Sequence, residues 1–201
     1  YMQPLVAYNP WTDIVTHGKA TEQVVDAIKK RGFVGVKIYP PNGFRPYGNT
    51  ETPLLDMPGA PTAADLDVVL AKFWDKCVEQ NIPVMAHTGA TMGSDNAHDK
   101  LGGPQGWRAL YRHYSGRVSP TVNAGHFGGD EPGNNWTNQI AELMAQPEGS
   151  TLYGDLGYWS RLRCENPEGD TCRNERQRLQ MAVAKPGVAK RVMYGSDWLM
   201  L

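Results

Sequence analysis

Short β-rich runs alternate with helix-period stretches along the whole chain. Leu5-Val6-Ala7-Tyr8 predicts a strand ended by Asn9-Pro10. A helix follows with Thr21 as its N-cap, Val24, Val25 and Ile28 on one face, and a stop at Gly32. Phe33 to Tyr39 predicts the next strand, closed by Pro40-Pro41, and a Gly/Pro-rich loop without periodicity runs from Asn42 to Pro61. Thr62 then opens a helix, with Asp65 placed for a capping box. Its apolar residues Leu66, Val69, Leu70, Phe73 and Cys77 make a single stripe.

The same alternation continues to the end. Pro83 to His87 predicts a strand, followed by a long loop and a short helix from Trp107 to His113. Val118 to His126 predicts another, then a helix with Trp136, Ile140, Leu143 and Met144 inward. Thr151 to Leu156, a helix from about Asn174 carrying Leu179, Ala182 and Val183, and a final strand from Arg191 to Trp198 complete the pattern. Strands alternating with helices spell a parallel α/β sheet. A full (β/α)8 barrel takes about 250 residues. The expectation is therefore one domain, residues 1–201, folded as a barrel lacking two strands. An open doubly wound sheet is the alternative.

The polar residues change the picture because of where they fall. Lys37, His87, His126, Asp155 and Asp197 each lie at or near the C-terminal end of a different expected strand. In parallel α/β folds, sites are built on that edge. Each residue alone has a plain alternative: a hydrogen-bonded strand-end histidine for His87, a turn histidine before Gly128-Gly129 for His126, and helix caps for Asp155 and Asp197. Lys37, between Val36 and Ile38, is costly to bury without a partner. Together they make a set of imidazoles and carboxylates suited to a divalent ion: zinc first, with manganese, iron or nickel also compatible. Arg45, on the long loop, is either a clamp for a substrate carboxylate or a surface arginine. Tyr39, Tyr158, Trp159 and Trp198 would suit a planar substrate or simply pack the rim. His17, His98 and His113 default to surface roles, although the loop holding His98 could cover the site.

Charge and composition narrow the functional classes. The chain carries 20 Lys+Arg against 21 Asp+Glu, a net charge of −1, which gives no electrostatic case for nucleic acid or an anionic membrane. No apolar run approaches the ~18 residues that cross a bilayer. Tyr1-Met2-Gln3-Pro4 has no secretory character, and a natural start upstream is expected. Three cysteines do not make a disulfide scaffold. Cys77 belongs to a core stripe; Cys164 and Cys172 are either a bridge or two free thiols. A cytoplasmic location is the expectation, with an extracytoplasmic one left open by that pair. Gly125-His126-Phe127-Gly128-Gly129 does not fit G-x-G-x-x-G, and no Walker lysine motif occurs.

Val36-Lys37-Ile38-Tyr39-Pro40, Pro83 to Gly89, Asn123-Ala124-Gly125-His126 and Met193 to Trp198 resemble strands four, five, six and eight of the amidohydrolase superfamily. The closest branch is the amidohydrolase-related group, which also contains decarboxylases of carboxylated rings. The resemblance runs from a third strand at Leu5 to an eighth at Val192. It implies a partial (β/α)8 barrel with His87, His126, Asp197 and Lys37 as metal-site residues and Asp197 and His126 as catalytic groups. Arg45, Tyr39, Asp155 and Trp198 are then expected around the substrate. The first-strand His-x-His pair of the family does not occur in this sequence.

The activity so implied is metal-dependent hydrolysis of a small carbonyl-centred substrate such as an amide, lactone or ester. Metal-dependent non-oxidative decarboxylation of a cyclic carboxylate is the alternative, and a non-catalytic fragment is a third reading. A small molecule is the expected partner, without nucleic acid or membrane, and a homo-oligomer is compatible with the sequence.

Overall fold

The computed structural model of the chain describes residues 3–51, 61–89, 96–129, 133, 135–159, 162 and 169–195. Strand β1 (Leu5–Ala7) is followed by helices α1 (Pro10–Val15) and α2 (Lys19–Lys30), and β2 (Gly35–Ile38) by α3 (Ala63–Glu79). After β3 (Val84–His87) come α4 (Asn96–Asp99) and α5 (Pro104–His113). Then β4 (Val122–Gly125) leads to α6 (Trp136–Met144), β5 (Leu152–Asp155) to α7 (Asp170–Val183), and β6 (Val192–Met193) follows.

The strands form one sheet in the order β1-β2-β3-β4-β5-β6, every neighbouring pair parallel. A doubly wound sheet reverses its strand order at a switch point. No reversal occurs among these strands, so the sheet is singly wound, as in a (β/α)8 barrel. Strand alternation then gives the sheet two chemically distinct faces. Val36, Ile38, Val84, Ala86, Val122, Ala124 and Leu152 are at most 1% exposed and share one core with the helices. The other face carries Lys37, Met85, Asn123 and Tyr153, aligned across four strands by the register, and all are half-buried. Hydrophobic burial thus points the helix-facing set outward and leaves the polar set lining the barrel interior.

Helix α3 shows how local sequence fixes an element. The Thr62 hydroxyl accepts the Asp65 N–H while the Asp65 carboxylate accepts the Thr62 N–H, the reciprocal cap expected there. Leu66, Leu70, Phe73 and Cys77 are buried as the stripe predicts, and Val69 is half-buried. Trp74 joins them because its indole N–H reaches the Pro46 carbonyl at 2.9 Å. Burying side chains of this size contributes about 1.5–3 kcal/mol each. The same helix holds the first part of the loop from Asn42: Asn49, fully buried, donates to Asp67 at 2.7 Å and to the Arg45 carbonyl at 3.2 Å.

Two expectations are corrected. Thr21 is not an N-cap. Two helices fill the β1–β2 connection: Asn9 caps α1, and Gly18, at φ 89°, breaks the chain before α2. Thr21 sits inside α2 and donates its hydroxyl to Asp13 at 2.6 Å, beside its own N–H at 3.0 Å and the Tyr8 hydroxyl at 3.0 Å. Asp13 is 1% exposed, and a carboxylate so buried needs those donors. Secondly, β4 begins at Val122, not Val118. Val118 is exposed, and Pro120 has no N–H to offer a ladder. Cys77 is free and buried, whereas Cys172 is buried and disulfide-bonded. Cys164 lies outside the described residues. Among the described residues no helix is long and apolar enough to cross a membrane.

Candidate active site

The C-terminal ends of β2, β3 and β4 bring three of the expected residues together. His87 ends β3 and stands opposite Gly125 in the β3–β4 register. The His87 and His126 rings pack edge to face with centroids 4.7 Å apart, and Tyr39 tilts against His87 at 4.6 Å. Lys37 lies on the same face of β2, one layer deeper than Tyr39. Tyr158 extends the row, its ring 6.4 Å from His126. Helix α4 packs against the turn Pro40–Asn42. Burial, reinforced by the Asp99 carboxylate of α4, pushes the Tyr39 phenol above its ordinary pKa.

His126 is held through its main-chain N–H, its carbonyl and its Nδ1. Its main-chain N–H is donated to the Asp155 carboxylate at 3.2 Å. Its carbonyl accepts the Gly129 N–H and the Trp159 indole N–H, both at 2.7 Å. Its Nδ1 lies 3.0 Å from the Gly157 carbonyl. A carbonyl oxygen only accepts, so Nδ1 must carry the proton, and in the neutral ring Nε2 is left with its lone pair. Second-row hydrogen bonds of this kind fix the tautomer of metal-bound and catalytic imidazoles alike.

The turn bearing His126 is strained. His126 and Phe127 have φ of 67° and 44°, and Tyr158 has φ 64°. Each costs a residue with a Cβ on the order of 1–3 kcal/mol unless its surroundings impose it. They do here. Phe127 is fully buried over Gly154, where a Cβ would come within 2.5 Å of the Phe127 ring. At Gly128, φ 86°, a Cβ would meet the Thr137 nitrogen at 2.5 Å. Thr88, buried next to His87, donates its hydroxyl to the Gly125 carbonyl at 2.6 Å and accepts the Gly128 N–H at 3.2 Å. That single hydroxyl ties the end of β3 to the turn of His126.

The sequence profile of the amidohydrolase family matches residues 6–201. The chain belongs to the amidohydrolase family. Comparison with curated proteins gives no match. Among solved structures the chain is similar to a probable 2-pyrone-4,6-dicarboxylic acid hydrolase from Acinetobacter baumannii, crystallised with citric acid bound. The TM-score is 0.51 at 16% identity, covering 98% of this chain and 57% of that one. The chain thus spans little more than half the length of that neighbour and folds as a partial amidohydrolase barrel.

Of the remaining expected residues, Asp155 joins the His126 turn and Arg45 lies beside α5. Asp155 is 5% exposed, and its carboxylate accepts the Asn123 amide at 2.7 Å and the Gly157 N–H at 2.9 Å besides that of His126. Arg45 has its main-chain N–H on Asn49 at 2.7 Å, and its Cβ lies against Gly106 of α5. Asp197 and Trp198 lie outside the described residues. Among the described residues no group of three or more His, Cys, Asp or Glu is placed to hold a metal ion. The imidazole pair fits as part of such a donor set: neutral nitrogen ligands on adjacent strand ends, one with its second nitrogen bonded to a carbonyl. Sequence reasoning missed Thr88 and Gly157 as supports of the site, and it gave Trp159 a substrate or rim-packing role, not the hydrogen bond that its indole makes to the His126 carbonyl. The signal available for them was adjacency, since each lies within a few residues of a strand end.

Proposed function

We propose that this chain is the larger part of a metal-dependent amidohydrolase-type hydrolase acting on a small carbonyl-centred substrate. One observation carries the reading: two imidazoles meet at adjacent strand ends, and that of His126 has its Nδ1 committed to a main-chain carbonyl. His87, His126 and Asp197 would hold a divalent ion, with Lys37 beside them. Such an ion supplies hydroxide at neutral pH by lowering the pKa of bound water from 15.7 toward about 7.

The chain's own residues do the rest. Asp197, four positions beyond β6 in the sequence, would take the proton of the attacking water and return it to the leaving group, general base then general acid. His126, with Nδ1 committed to Gly157, would use Nε2 either toward the ion or toward the reacting centre, without the cost of choosing a tautomer at each turnover. Lys37, deeper in the interior, and Arg45, on the loop above, supply positive charge for a substrate carboxylate or the developing oxyanion. Tyr39 and Trp198 are assigned to contact the substrate. A carboxylate-bearing substrate is supported by the structural neighbour, whose name is that of a cyclic dicarboxylic acid hydrolase and whose crystals hold citric acid.

The test is hydrolysis of a panel of lactones, amides and cyclic carboxylates by the complete protein, with metal content measured alongside. His87→Ala and Asp197→Asn are expected to lose bound metal and activity together. Release of carbon dioxide in place of a ring-opened or cleaved product would overturn the hydrolase reading in favour of a decarboxylase.

A further inference from the structure

Helix α7 holds an ion pair between a buried acid and a partly buried base. Leu179, Ala182 and Val183 already give the helix an inward face. Yet Glu175 is 4% exposed, and Arg178 pairs with it at 2.5 Å. A buried ion pair is weak support for a fold, because desolvation offsets its attraction. What the pair does instead is aim the guanidinium. Arg178 donates to the Gly129 carbonyl at 3.0 Å and lies over the Trp159 ring, 5.4 Å from its centroid. Both of these residues in turn donate an N–H to the same acceptor, the His126 carbonyl.

We propose that Arg178, oriented by Glu175, is a positioning residue that keeps the His126–Phe127 turn left-handed and thereby holds His126 as its Nδ1–H tautomer. Gly129 and Trp159 are the two intermediaries, and each needs a fixed place to reach one carbonyl. A planar, multiply donating guanidinium serves both at once, bonding one and stacking on the other, which a lysine ammonium cannot do. The inference rests on the functional reading of His126 given above.

Nitrogen NMR of the histidine side chains, assigned with His126→Gln, tests it at about pH 8, above the ordinary histidine pKa of about 6.5. In the wild-type protein His126 is expected as the single Nδ1–H tautomer. The double variant Glu175→Gln/Arg178→Met removes both charges together, so neither is left as a lone buried charge, and a thermal melt checks that it stays folded. In it His126 is expected to average between tautomers, and Arg178→Lys is expected to restore the wild-type signal only in part. Arg191→Lys, which disturbs a guanidinium bonded to Gly149 and Leu152 at the other end of β5, is expected to lower stability without moving the His126 signal. An unchanged His126 tautomer in the double variant overturns this inference and leaves the functional reading standing. Averaging in Arg191→Lys as well also overturns it. An Nε2–H tautomer in the wild type overturns the functional reading of His126 and this inference with it.

Discussion

The Asp155 carboxylate accepts the main-chain N–H of His126 at 3.2 Å, joining the end of β5 to the turn that follows β4. It also accepts from Asn123 and Gly157, so three donors from two strand ends converge on one buried acid. Since the Gly157 carbonyl is in turn the partner of His126 Nδ1, Asp155 fixes both the backbone and, through one residue, the ring of that histidine.

Replacing Asp155 with Asn puts an amide NH2 among groups that are themselves donors. At least one buried N–H then loses its acceptor, at a cost of about 1–3 kcal/mol. Urea unfolding of Asp155→Asn is expected to show a lower midpoint with an unchanged slope. Catalytic turnover by the variant is expected to fall more than its substrate affinity, because the acid positions His126 and does not supply the main charge for binding.

Thr88→Val keeps the shape of the side chain and removes its hydroxyl. The Gly125 carbonyl retains the Thr88 main-chain N–H at 3.1 Å, but the Gly128 N–H loses the Thr88 hydroxyl as an acceptor. A loss of about 0.5–1.5 kcal/mol is expected, the net worth of one such hydrogen bond. Hydrogen exchange provides the check: protection of the amide at 128 should drop well beyond that of the β3–β4 ladder. Equal loss across the ladder would show that the hydroxyl serves the sheet and not the turn.

Gly154→Ala tests whether the Phe127 ring sets the strained turn. The added methyl would lie 2.5 Å from that ring, and overpacking of this kind costs about 1–3 kcal/mol. The expected outcome is a destabilised protein in which Phe127→Leu, by vacating space, recovers part of the loss. Purely additive effects of the two substitutions would count against the coupling.

The α3 cap gives a pH dependence of known sign. The Thr62 main-chain N–H, then its hydroxyl, holds the Asp65 carboxyl below its ordinary value of 3.8. A carboxyl depressed on folding contributes stability that is fully present above its unfolded pKa and is lost as pH falls through the folded one. The difference in stability between wild type and Asp65→Asn should therefore be flat from neutral pH down to about 5 and shrink below 3.8. Thermal melts across that range measure it, and a difference that widens on acidification would reverse the assignment.

How much of this was legible beforehand depends on the range of the interaction. The alternation of apolar and helix-period segments is written within a few residues, so Leu66, Leu70, Phe73 and Cys77 disclosed their helix face and Val36, Val84 and Val122 their strands before any contact was known. The same local period placed Lys37, His87, His126 and Asp155 on strand ends, and thus on one rim. Thr21 misled because a threonine ahead of an apolar stripe looks like a cap, while its partner Asp13 belongs to a different helix. What only the tertiary structure decided is which groups satisfy one another. His126 meets Gly157 and Trp159 across 31 and 33 positions, and Gly129 meets Arg178 across 49. Those pairings arise from strand register and helix packing, which bring distant donors to buried acceptors that would otherwise lose their hydration unreplaced. The tautomer of His126, the saturation of Asp155 and the placement of Arg178 all depend on that long-range closure, for which no periodicity in the chain carries a signal.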